Sequence, residues 1–331
     1  MERELAIEFV RVTEVAAIAA ARWSGRGDKE AADQAAVDSM REMLDTVDID
    51  GEVVIGEGEI DEAPMLYIGE KIGTRAGEVP EVDIAVDPLE GTTITAQGRN
   101  NALSVLAVAE RGGFLNAPDM YMDKIAVGSA AKGKIDIEES VAYNVKNVAQ
   151  ALAKPVKEVS VFILDKERHT KEGGLVEQVR EVGAKVKLIS DGDIAGAIAA
   201  GLPEHDVDLM MGIGGAPEGV LAAAALKSLD GEVQARLVPY QEEEVKRAHE
   251  MGIKDIEAPL KMEDLAGGEN IIFAATGVTN GELLEGVRLN EKKAETDSVV
   301  MRSKTGTLRF VKAQHKLDQK PLPKLQNNEI N

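Results

Sequence analysis

Cysteine is absent from this 331-residue sequence. Without thiols there is no disulfide, no thiolate nucleophile and no cysteine-ligated zinc or iron–sulfur cluster. Aromatic residues are scarce, at 3%, so aliphatic side chains and alanine must fill the core. Basic residues are outnumbered: 38 Lys and Arg face 59 Asp and Glu, for a net charge of −21. Such a surface repels nucleic-acid phosphates and argues against a nucleic-acid partner. It also means that an anionic ligand needs local cations, from metal or from Lys and Arg. No apolar run is long enough to span a bilayer, so no membrane partner is expected. The first residues, Met1-Glu2-Arg3-Glu4-Leu5, lack a signal-peptide pattern, and a cytoplasmic location is expected. No internal repeat or low-complexity linker stands out.

What is present is organised around Val82-Asp83-Ile84-Ala85-Val86-Asp87-Pro88-Leu89-Glu90-Gly91-Thr92-Thr93. The β-branched run predicts a buried strand. Pro88, having no N–H, is expected to end its ladder. Beyond it stand Asp87, Glu90 and two threonine hydroxyls, with Gly91 allowing a bend. Carboxylates and a hydroxyl at a strand end suit a hard divalent cation, although a plain polar turn has the same composition.

Upstream, residues 4–22 and 29–45 read as helices, with Asp28 capping the second. Asp33 lies on that second helix, and Lys29 four residues earlier makes a surface ion pair an equally simple reading. A short strand at 51–55 enters Gly56-Glu57-Gly58-Glu59-Ile60-Asp61-Glu62. This is either a solvated acidic loop or a metal-binding one, because carboxylates so close together need solvent or cations between them. Residues 68–77 read as a polar connection and 103–109 as a strand. Residues 120–127 are expected to carry the chain back into the sheet, with Tyr121 at its edge.

A composition change near 155 suggests two domains, 1–155 being α+β and metal-binding, 156–331 being α/β and substrate-binding. In the second part strands at 159–164, 185–190 and 207–213 alternate with helices at 173–182, 193–201 and 217–228, which implies parallel βαβ units. Ligands in such sheets gather at the carboxyl ends of strands. Those ends carry Lys166-Glu167-Arg168, Asp191-Gly192-Asp193 and Gly214-Gly215-Ala216-Pro217-Glu218-Gly219. The last segment has neither the G-x-G-x-x-G order nor a P-loop lysine. Asp191 or Asp193 serves equally well as a plain helix cap. A charged helix at 240–251 and strands at 271–278 and 298–310 follow, the last containing a Thr305-Gly306-Thr307 turn. Residues 316–331 read as a loosely ordered end.

Converging carboxylates without His or Cys favour Mg²⁺ or Mn²⁺ over zinc. Two such ions can clamp a phosphate, while a threonine orients the attacking water and an acid accepts its proton. Lys166 and Arg168 would neutralise a second, distal phosphate.

The segments Gly56–Tyr67, Asp87-Pro88-Leu89-Glu90-Gly91-Thr92-Thr93, Asp191-Gly192-Asp193 and Gly214–Gly219 together resemble class II fructose-1,6-bisphosphatases along essentially the whole chain. That resemblance implies an α/β, layered αβαβα sugar-phosphatase fold in two domains, within the lithium-sensitive superfamily. It implies metal ligands at Asp33, Glu57, Asp87, Glu90 and Glu218, holding two or more Mn²⁺ or Mg²⁺ ions. It implies substrate contacts at Lys29, Glu90, Gly91, Thr92, Tyr121, Lys166, Glu167, Arg168, Asp191, Gly192, Asp193 and Gly215. Thr92 matches the threonine that orients the attacking water, and Asp61 is the candidate base, with Glu59 as its rival. Superfamily members usually carry Asp-Pro-x-Asp-Gly-Thr and a later Trp-Asp pair. Here Glu90 replaces that aspartate and the 215–218 segment stands in place of the Trp-Asp, which argues against an inositol monophosphatase. The expected reaction, a step of gluconeogenesis, is hydrolysis of the 1-phosphate of fructose 1,6-bisphosphate. The alternatives are an enzyme that also takes sedoheptulose 1,7-bisphosphate, another sugar or inositol phosphomonoesterase, and a non-enzymatic metal or sugar-phosphate sensor. A homo-oligomer, dimer or tetramer, is also implied.

Overall fold

The computed structural model describes residues 4–58 and 65–318. Helices α1 (Leu5–Ala21) and α2 (Lys29–Leu44) open the chain. Asp28 starts α2, its carboxylate accepting from the Ala31 N–H at 2.9 Å. Strands β1 (Asp50–Ile55), β2 (Lys71–Ile72) and β3 (Glu81–Glu90) follow, then helix α3 (Thr92–Ala96) and strand β4 (Leu103–Glu110). Next come β5 (Tyr121–Val127), α4 (Val141–Ala151), β6 (Ser160–Leu164), α5 (Glu167–Thr170) and α6 (Leu175–Val182). Then follow β7 (Lys185–Ile189), α7 (Asp193–Gly201), β8 (Leu209–Gly215) and α8 (Ala216–Ser228). The chain continues through β9 (Glu232–Val238), α9 (Glu242–Glu250), α10 (Met262–Leu265), β10 (Ile272–Gly277), β11 (Arg288–Leu289), β12 (Lys293–Arg302) and β13 (Thr307–Lys316).

An 8-stranded sheet runs in the order β11-β12-β10-β4-β3-β1-β2, with β13 also paired to β12. A 5-stranded sheet runs β7-β6-β8-β5-β9. Period-two alternation sorts the side chains to opposite faces. On β4, Leu106 and Val108 join the core under α1 and α2, while Val105, Ala107 and Ala109 join the core between the sheets. On β5, Ile125 and Val127 pack toward α4 and α6, while Met122 and Ala126 face inward. Helix α8 contacts strands of both sheets. Its sequence is apolar on every side, as a helix buried between two layers requires. With α7 packed beside α8, the layers read α1/α2, first sheet, α7/α8, second sheet, α4/α6. This is the expected layered αβαβα arrangement.

Several local expectations need correction. Pro88 does not end β3. The ladder to β4 slips between Asp87↔Val105 and Glu90↔Leu103, so Pro88 and Leu89 sit opposite Ser104 in a bulge and pairing then resumes. A residue without an N–H is tolerated there because the bulge breaks the ladder. Residues 121–127 do not return to the first sheet but pair antiparallel with β8 and β9. The second sheet is therefore mixed, with β7, β6 and β8 as its parallel part. Sheet membership does not change at 155: the second sheet begins at β5, and β10 to β13 rejoin the first. Composition cannot report which sheet an apolar strand joins. The expected turn within 298–310 is present, as the link of a hairpin whose strands β12 and β13 extend beyond that segment on both sides and join across residues 303–306.

Candidate active site

The ends of six strands deliver polar side chains to one cavity of about 570 Å³. Asp87 and Glu90 flank the bulge in β3, and Gly91 follows with a φ of 94°, in the left-handed region. A Cβ there would lie 2.7 Å from the Ile94 side chain, so glycine is required for both reasons. Thr92 then begins α3 at the cavity wall. Asp33 reaches the cavity from α2, Glu57 from the end of β1, and Asp119 and Tyr121 from the start of β5. Lys166 and Arg168 follow β6, Asp191, Gly192 and Asp193 follow β7, and Gly215 and Glu218 follow β8.

Two expected substrate contacts lie elsewhere. Lys29 opens α2 with its side chain exposed, and Glu167 is exposed between Lys166 and Arg168. Neither lines the cavity. A short helical turn at 167–170 presents alternate residues in different directions, which a contiguous motif conceals. Asp61 and Glu59 lie outside the described residues. Asp119 and Lys124 were not singled out from the sequence. Lys124 had a readable signal, because it interrupts the inward apolar series Met120, Met122, Ala126.

The carboxylates perturb one another. Burial, then Asp33, Asp119 and Glu218, push Glu57 up to about 8. Burial and the Asp193 charge raise Glu218 to about 7, opposed by the Lys124 ammonium. Asp87 is raised well above the ordinary range by burial and by Glu90, and Glu90 by burial and by Asp193. Burial alone raises Asp33. Glu90 Oε1 accepts from the Ile194 N–H at 2.9 Å, while its Oε2 is buried without a hydrogen-bond partner. Among the described residues, no three acidic or imidazole side chains converge as a ready-made metal cage. The donors are nonetheless all oxygens, mutually repelling, and include an orphaned carboxylate oxygen. That chemistry fits a hard divalent cation.

The basic side is pre-arranged. Lys166 Nζ lies 3.4 Å from Asp191 Oδ1. Arg168 donates through Nε and Nη2 to the Ile213 carbonyl at 2.9 and 2.6 Å. Its guanidinium lies 4.9 Å from the Tyr121 ring centroid, and the edge-on Tyr240 ring lies 5.2 Å from Tyr121. Behind it, the buried His169 donates from Nδ1 to the Leu164 carbonyl and accepts at Nε2 from the Ile213 N–H. Burial lowers its pKa, so the ring is neutral and serves as a spacer that fixes β6 against β8.

A model of the family described as bacterial fructose-1,6-bisphosphatase, glpX-encoded, matches residues 3–315. The chain is 50% identical over 333 aligned positions to fructose-1,6-bisphosphatase 1 class 2 of Escherichia coli K12, covering 97% of each chain. It is 49% identical over 331 positions to fructose-1,6-bisphosphatase class 2 of Haemophilus influenzae, covering 96% of this chain and 98% of that one.

Proposed function

This chain belongs to the bacterial, glpX-encoded fructose-1,6-bisphosphatase family, and on that premise we propose that it hydrolyses fructose 1,6-bisphosphate to fructose 6-phosphate and phosphate. The observation that carries the reading is a single cavity lined both by the carboxylates Asp33, Glu57, Asp87, Glu90 and Glu218 and by Lys166 and Arg168. An acidic protein that binds a bisphosphate needs positive charge at both phosphates. Lys166 and Arg168 supply it at the 6-phosphate, Arg168 as a guanidinium already held by Ile213 and Tyr121. The carboxylates would hold two or more Mn²⁺ or Mg²⁺ ions on the side of the 1-phosphate. Divalent cations bound there supply Lewis acidity and charge neutralisation for the phosphoryl oxygens.

The chain's own groups do the rest. The Thr92 hydroxyl, fixed at the start of α3 by the Gly91 bend, orients the attacking water in line with the scissile bond. Asp61, or Glu59 in its place, accepts the water's proton. Asp191 to Asp193, Gly215 and Tyr121 hold the sugar. Among the described residues no helix is long and apolar enough to cross a membrane. A cytoplasmic homo-oligomer, dimer or tetramer, completes the proposal. Product identity tests the assignment of ends. Fructose 6-phosphate as the only sugar product supports it; fructose 1-phosphate would reverse the placement of the metal and basic sides.

A further inference from the structure

Lys124 sits in the middle of β5 on the face that packs between the sheets. It is 2% exposed and, among the described residues, the only buried lysine. A buried ammonium is unfavourable unless paired and hydrogen-bonded. Here it has two partners on two other elements. Nζ lies 2.5 Å from Asp193 Oδ2, at the start of α7, and 2.7 Å from the Gly215 carbonyl, where β8 meets α8. Space for it is built in. A Cβ on Gly214 would lie 2.9 Å from Nζ, and one on Gly219 would lie 3.1 Å from Lys124 Cδ. Yet Lys124 does not line the substrate cavity. It stands behind the wall, as the cation next to a row of carboxylates.

We propose that Lys124 is a positioning residue for substrate binding: its ammonium clamps Asp193 to the Gly215 carbonyl and so fixes the sugar-facing corner formed by β5, α7 and α8. This rests on the reading of the cavity given above. The clamp joins the elements that present Tyr121, Asp191 to Asp193, and Gly215 to Glu218. Without it Asp193 loses its anchor and the corner loosens. Loss of the ammonium acts with opposite sign on the two ligands. Sugar-phosphate binding weakens, because the groups that hold the sugar are no longer fixed. Divalent-cation binding is retained or tightens, because Asp33, Glu57, Asp87 and Glu90 stand on α2, just after β1 and on β3, which the clamp does not join, and a positive charge has left the neighbourhood of the fifth carboxylate, Glu218. A lysine that merely supported the fold would weaken both together.

The test is Lys124→Met in the full-length protein. Two quantities are read: the KM for fructose 1,6-bisphosphate, and Mn²⁺ affinity without substrate, followed by electron paramagnetic resonance of the free ion. The expected result is a KM raised about tenfold or more, a smaller change in kcat, and Mn²⁺ affinity equal to or tighter than wild type. An unchanged KM, or KM and Mn²⁺ affinity worsening together, would overturn the proposal. Because Lys124→Met leaves Asp193 buried without its partner, the neutral pair Lys124→Met/Asp193→Asn is made beside Asp193→Asn alone. Lys124 acting through Asp193 leaves those two with similar KM values; a further large loss in the pair would contradict it. A wild-type protein that releases no phosphate from the bisphosphate would instead overturn the functional reading, and that control is scored before any substitution.

Discussion

Replacing Glu57 with glutamine should stabilise the metal-free protein at neutral pH and weaken its response to metal. Glu57 is held beside Asp33, Asp119 and Glu218 and is pushed up to about 8 from an ordinary 4.5. In the folded, metal-free protein the group therefore keeps its proton over a range where the unfolded chain has lost it. Stability from this group is fully present below the ordinary value and is lost as pH rises through the folded value. The linkage slope is about 1.4 kcal/mol per pH unit across that window for one such group. For domains of about 150–250 residues, 1 kcal/mol corresponds to about 2–4 °C in Tm. A pH series of thermal melts on metal-stripped protein, from about pH 5 to 8.5, resolves such a slope. Wild type should lose Tm as pH rises, and Glu57→Gln should lose less. With Mn²⁺ added the order reverses. Cations compete with protons for these oxygens, so wild-type stabilisation by Mn²⁺ should grow with pH, and the variant should gain less. A variant that is less stable than wild type without metal near pH 8, or one that gains as much from Mn²⁺, would refute the reasoning.

Thr92→Ala should lower kcat by about a hundredfold or more while leaving Mn²⁺ affinity largely unchanged, because the hydroxyl orients the nucleophile; steady-state kinetics beside metal titration would show it. Gly91→Ala should destabilise the fold by about 1–2 kcal/mol from the left-handed conformation alone, with a clash at Ile94 in addition, and lower turnover by displacing Thr92; chemical denaturation measures the first part. Asp28→Ala should cost about 1 kcal/mol through the lost cap of α2 and change KM little, since Asp28 lies outside the cavity wall. Arg168→Ala should lose activity on the bisphosphate far more than on a small monophosphate, because a charged hydrogen bond of about 1.5–3 kcal/mol is removed only where there is a distal phosphate.

The helices and most strands were legible because their periodicities follow from which faces are buried. The helix over residues 4–22 and the Asp28 cap are local signals, and the structure reproduces both. Strand order was not legible. Residues 121–127 are an apolar strand that either sheet would accept, and pairing with β8 and β9 is decided by contacts far away in the chain. A missing N–H at Pro88 predicts the end of a ladder, whereas the bulge absorbs it and pairing resumes at Glu90 opposite Leu103. The carboxylates and basic residues of the cavity were visible as strand-end clusters. Glu167 shows the limit of that reading, since a motif does not say which of its residues face inward. Lys124 shows the opposite case: a charge in an apolar strand is a local anomaly whose partners, Asp193 and the Gly215 carbonyl, become visible only in the fold.

Phosphate release from fructose 1,6-bisphosphate, sedoheptulose 1,7-bisphosphate and inositol 1-phosphate, with and without Mn²⁺ or Mg²⁺, tests the central claim most directly. The account requires metal-dependent release from fructose 1,6-bisphosphate, whether or not the sedoheptulose ester is also cleaved. Release from inositol 1-phosphate alone, or none from any substrate by protein with metal bound, would contradict it.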